Sequence, residues 1–171
     1  MTTINPFPTN TGLPAGTTGM ISEYIAALGL IRYSGGRLSL NKSLVDDHGA
    51  DWSVYDKRSG LAVPLQIKVR VPKAFPSKRP ITFSPISDHL KRVASHFVML
   101  IAMDQLLERV HRTWLFPATE IERLCRRSDD GWIPRPSATA ISRDKYSPYL
   151  DDSLQSVTAR LLKYFDDQTM R

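Results

Sequence analysis

The sequence predicts an α/β protein with a central mixed β-sheet flanked by α-helices on both faces. Three observations carry this. From Leu61 to Val71 apolar residues alternate strictly with others, Leu61, Val63, Leu65, Ile67, Val69 and Val71 falling on one side, the period of a strand with one buried face. Ser95 to Met103 is nearly all apolar, which suits a strand buried on both faces. Two further stretches, from Thr17 to about Tyr33 and from Ser153 to about Asp166, carry apolar residues at helical spacing. Helices and strands mixed in this order fit a layered sheet.

A chain of 171 residues is expected to form one domain. Residues 1–16 hold three prolines, two glycines and many Thr and Asn, so they are expected to be a flexible N-terminal arm. Residues 17–171 form the single domain. Thr17 or Thr18 can cap the first helix, with Met20, Tyr24, Ala27, Leu28 and Ile31 as its apolar face and Ile21, Ile25 and Leu30 widening it. Glu23 shares its side with Ala26, Ala27 and Leu30. A carboxylate there needs a cation or metal nearby, or serves only the helix dipole. Ser34-Gly35-Gly36 ends the helix. Arg37 to Leu40 is expected to be a short strand, and Asn41 to Gly49 a polar connection holding Asp46, Asp47 and His48.

Asp51 to Tyr55 reads as a strand joined to the Leu61–Val71 strand by a turn at Lys57-Arg58-Ser59-Gly60. Val71 to Pro85 contains four prolines and cannot be regular helix or a central strand; a short strand at Ile81 to Phe83 is expected within it. Ser87 to Arg92 reads as a short helix. Arg109 to Phe116 is a strand, with Trp114 in the core. Pro117 to Arg127 reads as a helix burying Ile121, Leu124 and Cys125, followed by a turn over Ser128 to Gly131 and a strand near Ser137 to Ile141. Asp144 to Leu150 is a loop. Asp152 with Gln155 resembles a capping box for the last helix, which buries Leu154, Val157, Leu161 and Phe165.

The net charge of +6 favours an acidic partner, with DNA the leading candidate. Between Lys68 and Arg92 stand seven Lys and Arg against one acid, Asp88. Arg70, Lys73, Lys78 and Arg79 are therefore the candidate nucleic-acid-binding residues, since phosphate contacts come mostly from Lys and Arg. Arg123, Arg126 and Arg127 extend that basic surface or oppose the helix C-terminal dipole. No apolar run is long enough to span a bilayer, and the N-terminus has no charged region followed by an apolar stretch. No membrane association and a cytoplasmic location are expected. The single Cys125 allows no intramolecular disulfide and no cysteine zinc site. The absence of G-x-G-x-x-G and of a P-loop predicts no nucleotide cofactor, and the absence of G-x-S-x-G argues against a serine hydrolase.

The chemistry-bearing residues cluster about the central hairpin. Gln66 and Lys68 are two apart and project from one face of their strand, and the hairpin can bring Asp51 beside them. A carboxylate, an amide oxygen and a lysine so placed suit metal-assisted phosphodiester cleavage. Magnesium takes oxygen ligands: Asp51, Gln66 and the backbone carbonyl of Ile67 are the candidate metal ligands. Lys68 would hold the attacking water or offset charge on the phosphate.

Gly49-x-Asp51 followed by Gln66-x-Lys68 in an alternating strand resembles the PD-(D/E)xK nuclease superfamily, in particular its small prokaryotic branch with a Gly-x-Asp…Gln-x-Lys motif. The motif covers about Thr17 to Arg70, and the order of elements continues the resemblance to about Phe165. The resemblance implies a restriction-endonuclease-like core, a magnesium-dependent DNA endonuclease activity with manganese able to substitute, and catalytic residues Asp51, Gln66 and Lys68, joined by Glu23 from the first helix. Most of the superfamily has Glu or Asp where this chain has Gln66, and a neutral ligand binds metal more weakly. That departure motivates the alternative of a catalytically inactive nuclease-fold module that binds nucleic acid or a protein partner. A subunit or inhibitor of a larger complex is a third reading. Cutting two strands makes a homodimer an expected partner arrangement.

Overall fold

The computed structural model describes residues 14–42, 49–76, 78–139 and 143–170. The elements run α1 (Ala15–Tyr33), β1 (Leu38–Lys42), β2 (Trp52–Asp56), β3 (Ala62–Arg70), β4 (Phe97–Met103), β5 (Val110–Pro117), α2 (Ile121–Leu124), β6 (Arg126–Ser128), β7 (Gly131–Ile133), β8 (Leu150–Asp151) and α3 (Leu154–Thr169). Six strands form one mixed sheet in the order β1-β2-β3-β4-β5-β8. Only β3 and β4 pair in parallel; the other neighbours are antiparallel. No helix among the described residues is long and apolar enough to cross a membrane.

The alternation of β3 sends its apolar side chains into one of the two cores that flank the sheet. Val63, Leu65 and Ile67 join Trp52 and Val54 in a cluster with Ala26, Ala27 and Leu30 of α1 and with Leu154, Val157, Leu161 and Phe165 of α3. The opposite face carries Val98 and Leu100 of β4, Trp114 and Phe116 of β5, Ile121 and Leu124 of α2, and Ile81, Phe83, Ile86 and Leu90 from the irregular segment after β3. Every residue of β4 is buried, as its apolar run requires when both faces are covered. The two helices on the first face pack on each other. The second face is covered by α2, the β6–β7 hairpin and the proline-rich segment.

An ion-pair knot ties the edge of the sheet to α3. The Arg37 guanidinium donates to both carboxylate oxygens of Asp56, at 2.7 and 2.9 Å, and to Asp166 at 2.7 Å. Asp56 is fully buried and also accepts from Ser59 Oγ at 2.6 Å and the Ser59 N–H at 3.1 Å. The Arg37 hydrogen bonds, seconded by those from Ser59, hold the Asp56 carboxyl well below the usual carboxylate range.

Several local expectations are corrected. Helix α1 starts at Ala15 with Pro14 at its N-cap and no side-chain cap; the Thr18 hydroxyl instead bonds back to the Pro14 carbonyl at 3.1 Å. The helix expected over Pro117 to Arg127 is a 3-10 turn followed by four residues of α2. It stops because the Tyr146 hydroxyl takes the Leu124 carbonyl at 2.5 Å and Cys125 turns extended, sending Arg126 and Arg127 into a hairpin with Trp132 and Ile133. Ser87 to Arg92 is a turn, not a helix. No strand forms over residues 137–139, and 140–142 lie outside the described residues. At α3 the capping residue is Ser153, whose hydroxyl accepts from the Ser156 N–H at 3.2 Å, rather than Asp152. Most of the expected arm, and Asp46, Asp47 and His48, lie outside the described residues.

Candidate functional site

The site is built where β2 ends and β3 continues. The last pair of the β2–β3 ladder is Trp52 with Leu65. One step further, the same register sets Asp51 across from Gln66, and facing residues of an antiparallel pair share a face. Trp52 and Leu65 point into the core under α1, so Asp51 and Gln66 belong to the opposite face. Beyond Leu65, β3 keeps β4 as its neighbour, Gln66 beside Val98, Ile67 beside Met99 and Lys68 beside Leu100. No strand flanks that stretch on its β2 side among the described residues. From Gln66 to Lys68 the strand therefore keeps a single strand neighbour, β4, among the described residues.

Gln66 is buried, 2% exposed, although it sits on the polar side of its strand. Its amide nitrogen donates to the Gly49 carbonyl at 2.7 Å. A carbonyl can only accept, so this bond fixes the orientation of the amide. The other end, Oε1, is buried and has no hydrogen-bond partner among the described residues. A buried amide oxygen left without a donor costs about 1–3 kcal/mol. It is also the atom a hard cation would take. Asp51 Oδ2 is likewise a buried oxygen.

Gly49 holds this arrangement for two reasons. Its φ of +67° is a left-handed conformation. A Cβ on it would also lie 2.6 Å from the Leu90 backbone nitrogen. The loop bearing the Gly49 carbonyl and Asp51 is thus clamped between β3 and the turn over residues 87–90.

Lys68 follows Gln66 on the same face, half-buried. Its ammonium makes no hydrogen bond or ion pair among the described residues. Glu23 is on α1, which covers the other face of the sheet. Its carboxylate accepts from Lys42 Nζ at 3.3 Å. Lys42 stands across from Trp52 in the β1–β2 ladder and lies 5.1 Å from the Tyr24 ring and 5.4 Å from the Trp52 ring. The cation expected beside Glu23 is therefore Lys42, one residue from Asp51 along the sheet but backing onto it from the α1 side. No group of three or more His, Cys, Asp and Glu suited to holding a metal occurs among the described residues.

Arg70 at the end of β3 and Lys73, Lys78 and Arg79 after it are exposed. Their segment is pinned by Phe75, which stacks on His111 at 4.6 Å between ring centroids, and by a bond from the Gln105 amide to the Lys73 carbonyl at 3.1 Å. What the sequence reading missed is the structural part of Gly49, for which Gly-x-Asp was the available signal. It also missed Arg135. Ile133-Pro134-Arg135-Pro136 carries an alternation that could have marked an extended run with the arginine outward.

No described protein family matches the chain, and no curated protein does. Among solved structures, the bacterial homing endonuclease I-Ssp6803I is similar to it with a TM-score of 0.54 at 14% identity. The match covers 92% of this chain and 98% of that one. The likeness is one of fold, and it extends over almost the whole of both molecules.

Proposed function

We propose that this protein is a metal-dependent endonuclease that hydrolyses phosphodiester bonds of DNA. The observation that carries the reading is the buried Oε1 of Gln66, without a partner among the described residues, on the same strand face as Lys68 and in register with Asp51, within a fold similar to that of a homing endonuclease. Magnesium, or manganese in its place, would be held by Asp51, Gln66 and the Ile67 carbonyl. A bound ion of this kind supplies a water of lowered pKa and a polarised phosphate. Lys68 orients the attacking water and offsets charge that develops on the phosphate oxygens. Glu23 acts from the α1 side, through Lys42, to hold the end of the sheet where Asp51 stands. Arg70, Lys73, Lys78 and Arg79 grip the DNA backbone. Cutting both strands of a duplex then calls for two copies of the chain in a symmetric dimer.

One observation favours a second reading, a nuclease-fold module that binds nucleic acid or protein without cutting. Gln66 is neutral, and the described residues contain no cluster of acidic or imidazole ligands. The two readings are separated by a cleavage assay on plasmid, linear, single-stranded and four-way-junction DNA with magnesium, manganese or EDTA, beside Asp51→Ala and Lys68→Ala. The nuclease reading expects metal-dependent products from the wild type and none from folded Lys68→Ala. Products from Lys68→Ala at the wild-type rate would overturn the assignment of the site. A folded wild type that binds DNA and yields no product on any substrate would replace it with the binding module.

A further inference from the structure

The sheet face that carries Gln66 and Lys68 is roofed by a second, smaller β structure. β6 and β7 form a hairpin in which Arg126 faces Ile133 and Arg127 faces Trp132. Residues 81–86 run along the other edge of β7 and its extension. The Ile81 N–H donates to the Pro136 carbonyl at 2.9 Å and the Phe83 N–H to the Pro134 carbonyl at 3.1 Å. Ile86 and Trp132 exchange bonds of 2.9 and 3.1 Å. Pro134 and Pro136 have no N–H to return, so the expected strand at Ile81 to Phe83 forms this one-sided ladder and not a regular one. The product is a three-stranded ribbon with two distinct faces.

Ile81, Phe83, Ile86, Pro134 and Pro136 are buried, and the first three pack in the cluster with Trp114 and Phe116. The outward face follows from the same registers. Thr82 lies opposite Arg135, and Arg135 shares its side with Ile133 and hence with Arg126. Thr82, Arg126 and Arg135 are exposed, and together with Ile133 they line a surface hollow of about 330 Å3. Arg127 is engaged elsewhere, bonded to Asp88 and stacked 5.3 Å from the Trp132 ring centroid; the rim acid Asp129 acts on it. Arg126 and Arg135 make no side-chain ion pair or hydrogen bond among the described residues. Two guanidinium groups are therefore diagonal neighbours on one β face, in a hollow whose lining also includes Asp129. Like charges so placed repel, and an anion seated between them removes that cost.

We infer that the outer face of this ribbon is a docking surface for the phosphodiester backbone of duplex DNA, with Arg126 and Arg135 as its anchors. The inference rests on the reading that the chain acts on DNA. Guanidinium forks match phosphate oxygens two at a time, and hydroxyls such as that of Thr82 and neighbouring Ser84 add backbone contacts of the same kind. The ribbon is also tied to the site. Its first strand continues into the turn whose Leu90 nitrogen abuts Gly49, the residue that orients Gln66. A duplex held on the ribbon is thus held by the element that abuts Gly49.

The test is a titration of a labelled duplex in EDTA, where nothing is cut, at a series of salt concentrations. It compares wild type, Arg126→Gln/Arg135→Gln, and Lys163→Gln. Lys163 is on α3, across the sheet, and pairs with Asp167. The double variant is expected to bind about tenfold more weakly at moderate salt, with a log–log salt slope smaller by about 2, as loss of two phosphate contacts requires. Its melting temperature and the affinity of Lys163→Gln stay at wild-type values. An unchanged affinity and slope in the double variant, with wild type binding well, overturns the ribbon proposal and leaves the nuclease reading intact. A wild type that does not bind duplex at all also overturns the ribbon proposal, and the cleavage assay on the other DNA forms then decides the nuclease reading separately.

Discussion

The Gly49 carbonyl accepts a 2.7 Å hydrogen bond from the Gln66 amide nitrogen, and this bond decides which end of the amide is left for chemistry. Gln66 therefore serves at both ends of its amide. Its nitrogen fastens the Asp51 loop to β3, and its oxygen is left buried on the face of Lys68. A carboxylate could not do both in the absence of a cation, because one of its oxygens would face the Gly49 carbonyl.

It follows that Gln66→Glu, which supplies a charged metal ligand, weakens the protein before it helps any catalysis. In EDTA the variant is expected to lose about 1–3 kcal/mol, the range for a buried acceptor set against another acceptor. At about 2–4 °C per kcal/mol for a chain of this size, the loss is visible in a thermal melt. Magnesium should return part of it. A variant as stable as wild type in EDTA would mean that the Gly49 bond does not hold the loop.

Two glycines in left-handed backbone offer a matched comparison. Gly49 has φ +67° and Gly60 has φ +74°. A Cβ at Gly49 meets the Leu90 nitrogen at 2.6 Å, whereas one at Gly60 meets nothing within 4 Å. Gly60→Ala is expected to cost about 1–2 kcal/mol, the conformational term alone. Gly49→Ala adds a backbone clash at the site, so it should cost more and abolish cleavage. Denaturant melts of both variants, with cleavage assayed beside them, check this. Equal losses would remove the clamp between Gly49 and the 87–90 turn from the account of the site.

The regular half of the fold was legible because β3 and β4 obey simple patterns. Strict alternation marked β3 to within a residue at either end, and the unbroken apolar run marked β4. The same alternation put Gln66 and Lys68 on one face of β3, and the β2–β3 register, carried one step past Trp52 and Leu65, sets Asp51 across from Gln66. The less regular second face was harder to read. Glu122, Arg123 and Arg126 around Ile121 and Leu124 have helical spacing, but the partner that ends α2 is Tyr146, more than twenty residues away in sequence. The one-sided ladder between residues 81–83 and Pro134 to Pro136 leaves no strand signature in either segment. The ion pair of Lys42 with Glu23 depends on the β1–β2 register, which no local pattern in Arg37 to Lys42 reveals.

Cys125 is buried beside the Tyr146 hydroxyl, and burial pushes its thiol up to about 11. Near pH 8 only about one molecule in a thousand carries the thiolate. The native protein is expected to resist an aromatic disulfide reagent over the time in which a denatured sample reacts fully. Rapid modification of the native protein would show that the α2 end opens readily and that the Tyr146 bond to Leu124 does not close it.

The Arg37–Asp56 pair makes an acid-dependent prediction. Asp56 is charged and buried, so Arg37→Ala strands a carboxylate in the core. Ser59 still donates to it, which puts the expected loss at the low end of the range for a broken buried pair, on the order of 3 kcal/mol at neutral pH. The sign of the pH dependence follows from the direction of the shift. The folded carboxyl titrates below its unfolded value of about 4. Its contribution is therefore complete above that value and is lost as the pH falls towards the folded one. Wild type should lose stability from about pH 5 downward, and Arg37→Ala should lose much less over the same interval because most of the shift is gone. Denaturant melts of the two proteins from neutral pH into acid measure both slopes. Parallel curves would assign the acid sensitivity to other carboxylates and deny Arg37 its hold on Asp56.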